Sequence, residues 1–138
     1  MSLINYVTVE TQEGEHALRE YDGVFRKKLS LMPNGFDKDY LEKHNLLPRY
    51  SEKTNSIVTI GRIGTHQKHT ELLLDVLKHV ELKDWKVYLI GTIEPSFQST
   101  IDIYFDRYPH LREKIIFTGP IYDREKVFGY LKAAKIYM

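Results

Sequence analysis

The sequence contains no cysteine. It therefore has no disulfide framework, and no thiol can act as nucleophile or metal ligand. That composition fits a reducing cytosol, and the expected location is cytoplasmic. No apolar run approaches the ~18 residues a membrane-spanning helix needs, and no signal-peptide pattern opens the chain. Excess charge is missing too. The formal net charge is +1, which argues against nucleic acid as a partner, since such binding usually needs a strongly basic face. Repeats and low-complexity segments are absent. So are the glycine-rich phosphate loops: Gly61 and Gly64 form neither G-x-G-x-x-G nor a Walker sequence, which weakens dinucleotide and P-loop readings.

What remains is an ordinary globular composition. The 138 residues are 42% hydrophobic and 28% charged, enough for a domain with a real core and short for two. Met1-Ser2-Leu3 has the look of an expression leader. Tyr6-Val7-Thr8-Val9 reads as a strand, followed by a polar helix from about Gln12 to Tyr21. A second strand, Leu29 to Met32, stops at the turn signal Pro33-Asn34-Gly35. Asp37 is placed to cap a short helix reaching about His44.

From Ser56 the alternation is regular. Strands are expected at 57–60, 87–90 and 115–117, and a last one from Ile136, separated by helices over about 70–80, 96–108 and 123–134. Single apolar stripes run along these helices: Leu72, Leu73, Val76, Leu77 and Val80 on the first, then Phe97, Ile101, Tyr104, Phe105 and Tyr108, then Val127, Leu131 and Ala134. Strands alternating with one-sided helices predict an α/β fold, a Rossmann-like parallel sheet with helices on both faces.

The segment Ser56 to Lys68 carries the chemistry. The apolar strand Ile57-Val58-Thr59-Ile60 ends at Gly61, Arg62 follows at once, and Lys68 stands six residues further on. Ligands of open α/β sheets bind beyond the carboxyl ends of the strands. A guanidinium and an ammonium there, just before a helix, can neutralise a diphosphate. Surface cations are the commoner fate of both residue types, but the strand-end position favours a functional role. Gly91, after Tyr88-Leu89-Ile90, and Gly119, before Pro120 and Ile121, would let a base or sugar approach the backbone at the same edge. His66 and His69 have the spacing of a metal pair, yet no cysteine or carboxylate stands close, so two polar loop histidines are expected. Asp102 and Asp106, one turn apart, are expected on a solvated helix face. Lys27-Lys28 is too short a basic run to indicate a partner.

The ordered set Leu31-Met32-Pro33-Asn34-Gly35-Phe36-Asp37, Gly61-Arg62-Ile63-Gly64-Thr65, Gln67-Lys68, Val87 to Gly91, Phe117-Thr118-Gly119-Pro120-Ile121 and Ala133 to Met138 resembles the retaining glycosyltransferases of family 4. That family has the two-domain GT-B architecture. The resemblance implies that residues 1–35 end an acceptor-side domain and form the junction. Residues 36–138 would then begin the nucleotide-sugar-binding domain. It implies catalytic roles for Arg62 and Lys68, which would hold the diphosphate and stabilise it as it leaves. Gly61, Gly64, Gly91, Gly119, Pro120 and Ile121 would approach the donor, with the backbone around the last three meeting the base.

The implied donor is a UDP- or GDP-linked sugar, and the implied acceptor of the parent enzyme is a glycan or a lipid-linked group. Peripheral membrane association of the parent is compatible with this. The family is metal-independent, so neither metal nor cofactor is implied. His69 departs from the glycine usual after the lysine, and Gly91-Thr92-Ile93 shortens the usual loop at the sugar side. The family's paired glutamates would lie beyond Met138, so the chain is expected to be a fragment that does not transfer sugar alone. The competing readings are a non-transferase Rossmann-like nucleotide-binding domain and an interaction module.

Overall fold

A computed structural model describes residues 6–21 and 28–138. Met1-Ser2-Leu3 and Lys27 lie outside the described residues. The chain divides into two compact units, Met1–Lys38 and Asp39–Met138.

In the first unit, β1 (Val7–Val9) and β2 (Leu29–Leu31) pair in parallel, with Val7 opposite Leu29 and Val9 opposite Leu31. The connection contains α1 (Gln12–Tyr21). The Thr11 hydroxyl accepts from the Gly14 amide at 3.0 Å, satisfying one of the free donors at the start of α1. Arg19 pairs with Glu15 one turn earlier and also donates to the Leu29 carbonyl, which ties the helix to β2.

The second unit contains α2 (Lys38–Lys43) apart from its first residue, then β3 (Thr54–Ile60), α3 (Thr70–Leu77), β4 (Lys86–Ile90), α4 (Gln98–Arg107), β5 (Ile115–Gly119), α5 (Arg124–Ala133) and β6 (Ala134–Tyr137). The four strands form one parallel sheet in the order β5-β4-β3-β6. This is the α/β, Rossmann-like sheet that the alternation predicts. From β3 the chain steps outward to β4 and β5, then returns to the other side of β3. Right-handed crossovers put α3 and α4 on one face and α5 on the other.

The buried residues agree. Val87, Leu89 and Ile115 pack with Leu74, Leu77, Ile101, Tyr104 and Phe105 on one face. Val58 and Ile90 pack with Ala134, Tyr130 and Leu131 on the other. On that second face α2 meets α5: Tyr40 lies 6.1 Å from Phe128 between ring centres, and His44 Nδ1 is 2.8 Å from the Glu125 carboxylate. Asp123 caps α5 by accepting from the Lys126 amide at 3.1 Å.

The phase of α3 differs from the sequence reading. Thr70, Leu74 and Leu77 are buried, whereas Leu72 is 62% exposed and Val76 and Val80 are exposed as well. Five of the eight residues in α3 are apolar, so the pattern allows more than one rotation of the helix. Thr70 selects the rotation: its hydroxyl accepts from the Gly64 amide at 3.1 Å and holds position 70 inward. Val80 lies in the turn beyond the helix end. The strands also start earlier than apolar content indicates, β3 at Thr54 and β6 at Ala134. Their first residues still pair: Thr54 stands opposite Ala134, and the Thr54 hydroxyl meets that of Ser56.

The α4 stripe is in place. Tyr104 packs its ring 5.7 Å from Phe105 and 5.2 Å from Tyr108, but its buried hydroxyl has no hydrogen-bond partner among the described residues. Burial pushes that phenol up to about 12, so it stays a donor at neutral pH. An unsatisfied buried donor costs about 1–3 kcal/mol. Tyr104→Phe is therefore expected to raise stability by about 1 kcal/mol in urea unfolding. A loss of stability would show that the hydroxyl is satisfied.

Candidate anion-binding site at the strand ends

Three neighbouring strands deliver a glycine to one edge of the sheet. The Gly61 amide donates to the Ile90 carbonyl at 3.0 Å, and the Gly91 amide to the Gly119 carbonyl at 3.0 Å. The segments after β3 and β4 then run on together. Ile63 donates to Thr92 at 2.8 Å, Glu94 donates to Ile63 at 2.9 Å, and Ile63 and Ile93 form a parallel bridge. Gly91 has φ +148°, and a Cβ there would stand 1.8 Å from the Gly61 carbonyl oxygen. Only glycine lets the two backbones come this close.

Lys68 folds back over Gly61. A Cβ on Gly61 would meet Lys68 Cε at 2.6 Å and Nζ at 3.3 Å, so the missing side chain is the space the lysine occupies. Arg62 and Lys68 are both exposed. Among the described residues neither has a hydrogen-bond or ion-pair partner for its side chain. Together with Gly61 and Thr70 they line a small cavity of about 20 Å³, room for about one water. Two cations without counter-charge among the described residues, at the carboxyl edge of a parallel sheet and just before α3, are placed where an anion could be held.

Gly64 has a different reason for its smallness. It has φ +86°, and a Cβ would lie 2.4 Å from that of Phe97. Packing and loop conformation thus both require a glycine there.

His69 joins a short 3-10 turn (His66–Lys68) to α3 and sits at φ 44°, ψ 44°. That left-handed conformation costs a side-chain-bearing residue about 1–2 kcal/mol. His69→Gly is expected to stabilise the fold by about 0.5–1 kcal/mol, once the extra freedom of glycine in the unfolded chain is subtracted. A lower unfolding midpoint for the variant would mean that the His69 side chain contributes more than its backbone costs. The His66 and His69 rings lie 5.0 Å apart, and no three metal-ligating side chains cluster among the described residues. Asp102 accepts from Gln98, and Asp106 faces Arg112 at 3.6 Å, both on exposed helix surface.

A wider cleft of about 550 Å³ opens where β5 runs into α5, lined by Thr118, Pro120, Ile121, Tyr122, Lys126 and Tyr130. Pro120 is exposed, while Ile121 packs partly against the Val58–Ile90 core. Tyr122 is 91% exposed. Sequence reasoning missed Tyr122, Lys126 and Tyr130. The available signal was Asp123 as a helix cap, which puts Lys126 in the first turn and Tyr130 one turn further on. The structure thus brings Gly61, Arg62 and Lys68 together at β3, and Pro120 and Ile121 together at β5. The two groups stand two strand spacings apart, about 10 Å.

The fold and this edge define a Rossmann-like α/β domain. No protein-family profile matches the sequence, and no curated protein matches it. Solved structures do. The lipopolysaccharide outer core galactosyltransferase WaaB, in its apo form, superposes with a TM-score of 0.62 at 16% identity over 96% of this chain and 36% of that one. Anabaena Alr3699/HepE in complex with UDP and glucose gives a TM-score of 0.59 at 14% identity, over 96% of this chain and 37% of that one. At these identities the likeness is one of fold. The chain spans just over a third of the length of the solved structures it resembles.

Proposed function

We propose that this chain is the donor-binding part of a retaining nucleotide-sugar glycosyltransferase. Arg62 and Lys68 would hold the diphosphate of a UDP- or GDP-linked sugar and stabilise its charge as it leaves. The observation that carries this reading is the pair of cations at Gly61, unpartnered among the described residues, at the carboxyl edge of a sheet of the kind found in glycosyltransferases. The distance to the β5–α5 cleft supports it. A diphosphate at β3 would leave its nucleoside reaching toward Gly119, Pro120 and Ile121, where Tyr122 offers an exposed ring.

In this reading residues 1–35 close the acceptor-side domain and residues 36–138 open the donor domain. The parent enzyme is cytoplasmic or peripheral to a membrane and transfers sugar to a glycan or lipid-linked acceptor during polysaccharide synthesis. No helix among the described residues is long and apolar enough to cross a membrane. No metal takes part. The residues present perform the electrostatic half of the chemistry: Lys68 as a point charge, Arg62 as a two-pronged donor.

Calorimetric titration with UDP, GDP and ADP, and with the free nucleosides, tests the proposal. Diphosphates should bind and nucleosides should bind far more weakly. The affinity should fall as salt rises, because both cations are exposed. Equal binding of nucleoside and nucleoside diphosphate would refute it.

A further inference from the structure

A cleft of about 510 Å³ opens at the amino-terminal edge of the sheet, opposite the edge that carries Arg62 and Lys68. It is formed by the loops that lead into β4 and into β5. Its charge is nearly of one sign. Lys78, Lys83 and Lys114 line it with His79 and His110, against the single carboxylate of Glu81. Basic residues at a helix end often do no more than offset the helix dipole. That accounts for Lys78 and His79, which follow α3 directly, and Lys78 is paired with Asp75 besides. It does not account for Lys83 and Lys114, which stand well beyond the last turns of α3 and α4. Neither has a carboxylate partner among the described residues. Lys83 holds a left-handed backbone, φ 44°, and its carbonyl accepts from the Lys114 ammonium. A strained turn thus draws the second lysine onto the backbone of the first. The scaffold beneath is fixed: Leu82 and Leu111 are buried in the core, and the Lys114 carbonyl accepts from the Val87 amide at 2.8 Å.

We propose that this cleft holds a compact polyphosphate anion, of the size and charge of inorganic tripolyphosphate. Like charges gathered on a rigid scaffold repel one another unless an anion lies between them, and backbone strain tends to be stored where a ligand is held. Lysine binds phosphate as a point charge, and lysines brought in from two loops can meet several phosphate groups at once. The imidazoles of His79 and His110 each offer at least one N–H donor to the same oxygens. The volume lies in the range of small-molecule sites, about 300–1,000 Å³, which favours a compact ligand over an extended acidic chain. This site lies at the other edge of the sheet and does not rest on the diphosphate reading at Arg62 and Lys68.

Amide shifts of the isotope-labelled chain, followed during titration with tripolyphosphate and, separately, with orthophosphate and hexaglutamate, test it. Tripolyphosphate should move residues 79–83 and 110–114 saturably, and at least tenfold more tightly than orthophosphate or hexaglutamate. Lys83→Gln and Lys114→Gln, which remove one charge each, should both weaken that response threefold or more and leave any response at Gly61 and Lys68 as it was. Arg62→Ala combined with Lys68→Ala should leave the response of the cleft intact. No saturable shift in the two loops would overturn the proposal, as would an affinity unaltered in either glutamine variant. An equal response to hexaglutamate would also overturn it, since the cleft would then read charge alone. Loss of the response with Arg62 and Lys68 would do the same, by assigning the anion to the strand-end site.

Discussion

Replacing Arg62 or Lys68 with alanine is expected to weaken nucleoside diphosphate binding by about 1.5–3 kcal/mol per residue, roughly 10- to 150-fold. Both side chains are exposed and neither is engaged by a carboxylate among the described residues, so no internal ion pair has to break before a phosphate can bind. The loss should therefore appear in affinity and leave stability nearly unchanged, because surface substitutions of this kind stay within about 0.5 kcal/mol. Arg62→Lys is the finer probe. It keeps the charge and loses the planar fork, so it should fall between wild type and Arg62→Ala if the guanidinium binds two oxygens. Titration of UDP into the four proteins, with thermal unfolding as the control, gives the answer. Undiminished affinity in both alanine variants would remove these residues from the site.

The largest effect on stability is expected at Gly91. Alanine there would place its Cβ 1.8 Å from the Gly61 carbonyl oxygen, in a backbone conformation of φ +148°. Nothing flexible can yield, since the obstructing atom is backbone and the Ile63–Ile93 bridge follows directly. Gly91→Ala should cost at least ~3 kcal/mol, from overpacking and backbone strain together, a large part of the 5–15 kcal/mol typical of a domain. Gly119→Ala is the matched control. It has φ +71° and open space within 4 Å, so only the left-handed penalty of about 1–2 kcal/mol applies. Urea unfolding of the two variants should separate them clearly. Similar losses would mean that β3 and β4 part more easily at their ends than the hydrogen bonds there imply.

The strand-end glycines and the two cations were legible in the sequence because a parallel strand buried on both faces writes a short, continuous apolar run, and glycine after it marks the turn. The α4 stripe was legible because its polar residues alternate with its aromatics at helical spacing. The rotation of α3 was not, since Leu72, Leu73 and Leu74 are interchangeable in pattern and a hydroxyl contact from Thr70 to Gly64 decides among them. The packing of Gly64 against Phe97 was not legible either, since the two stand more than thirty positions apart. Tyr122, Lys126 and Tyr130 belong to a cleft that exists only once α5 is laid beside β5. The lone hydroxyl of Tyr104 is invisible to periodicity, which records that a residue is buried and not what its polar atom meets.

The central claim is that a nucleoside diphosphate lies along the ends of β3, β4 and β5 with its phosphates at Arg62 and Lys68. Mapping amide shifts of the isotope-labelled chain during a UDP titration tests it most directly. The account predicts the largest shifts at Gly61, Arg62 and Lys68, a second group from Gly119 to Tyr122, and little change at Tyr104 and Tyr108. Shifts concentrated in the α3–α4 groove, with the strand ends silent, would contradict it.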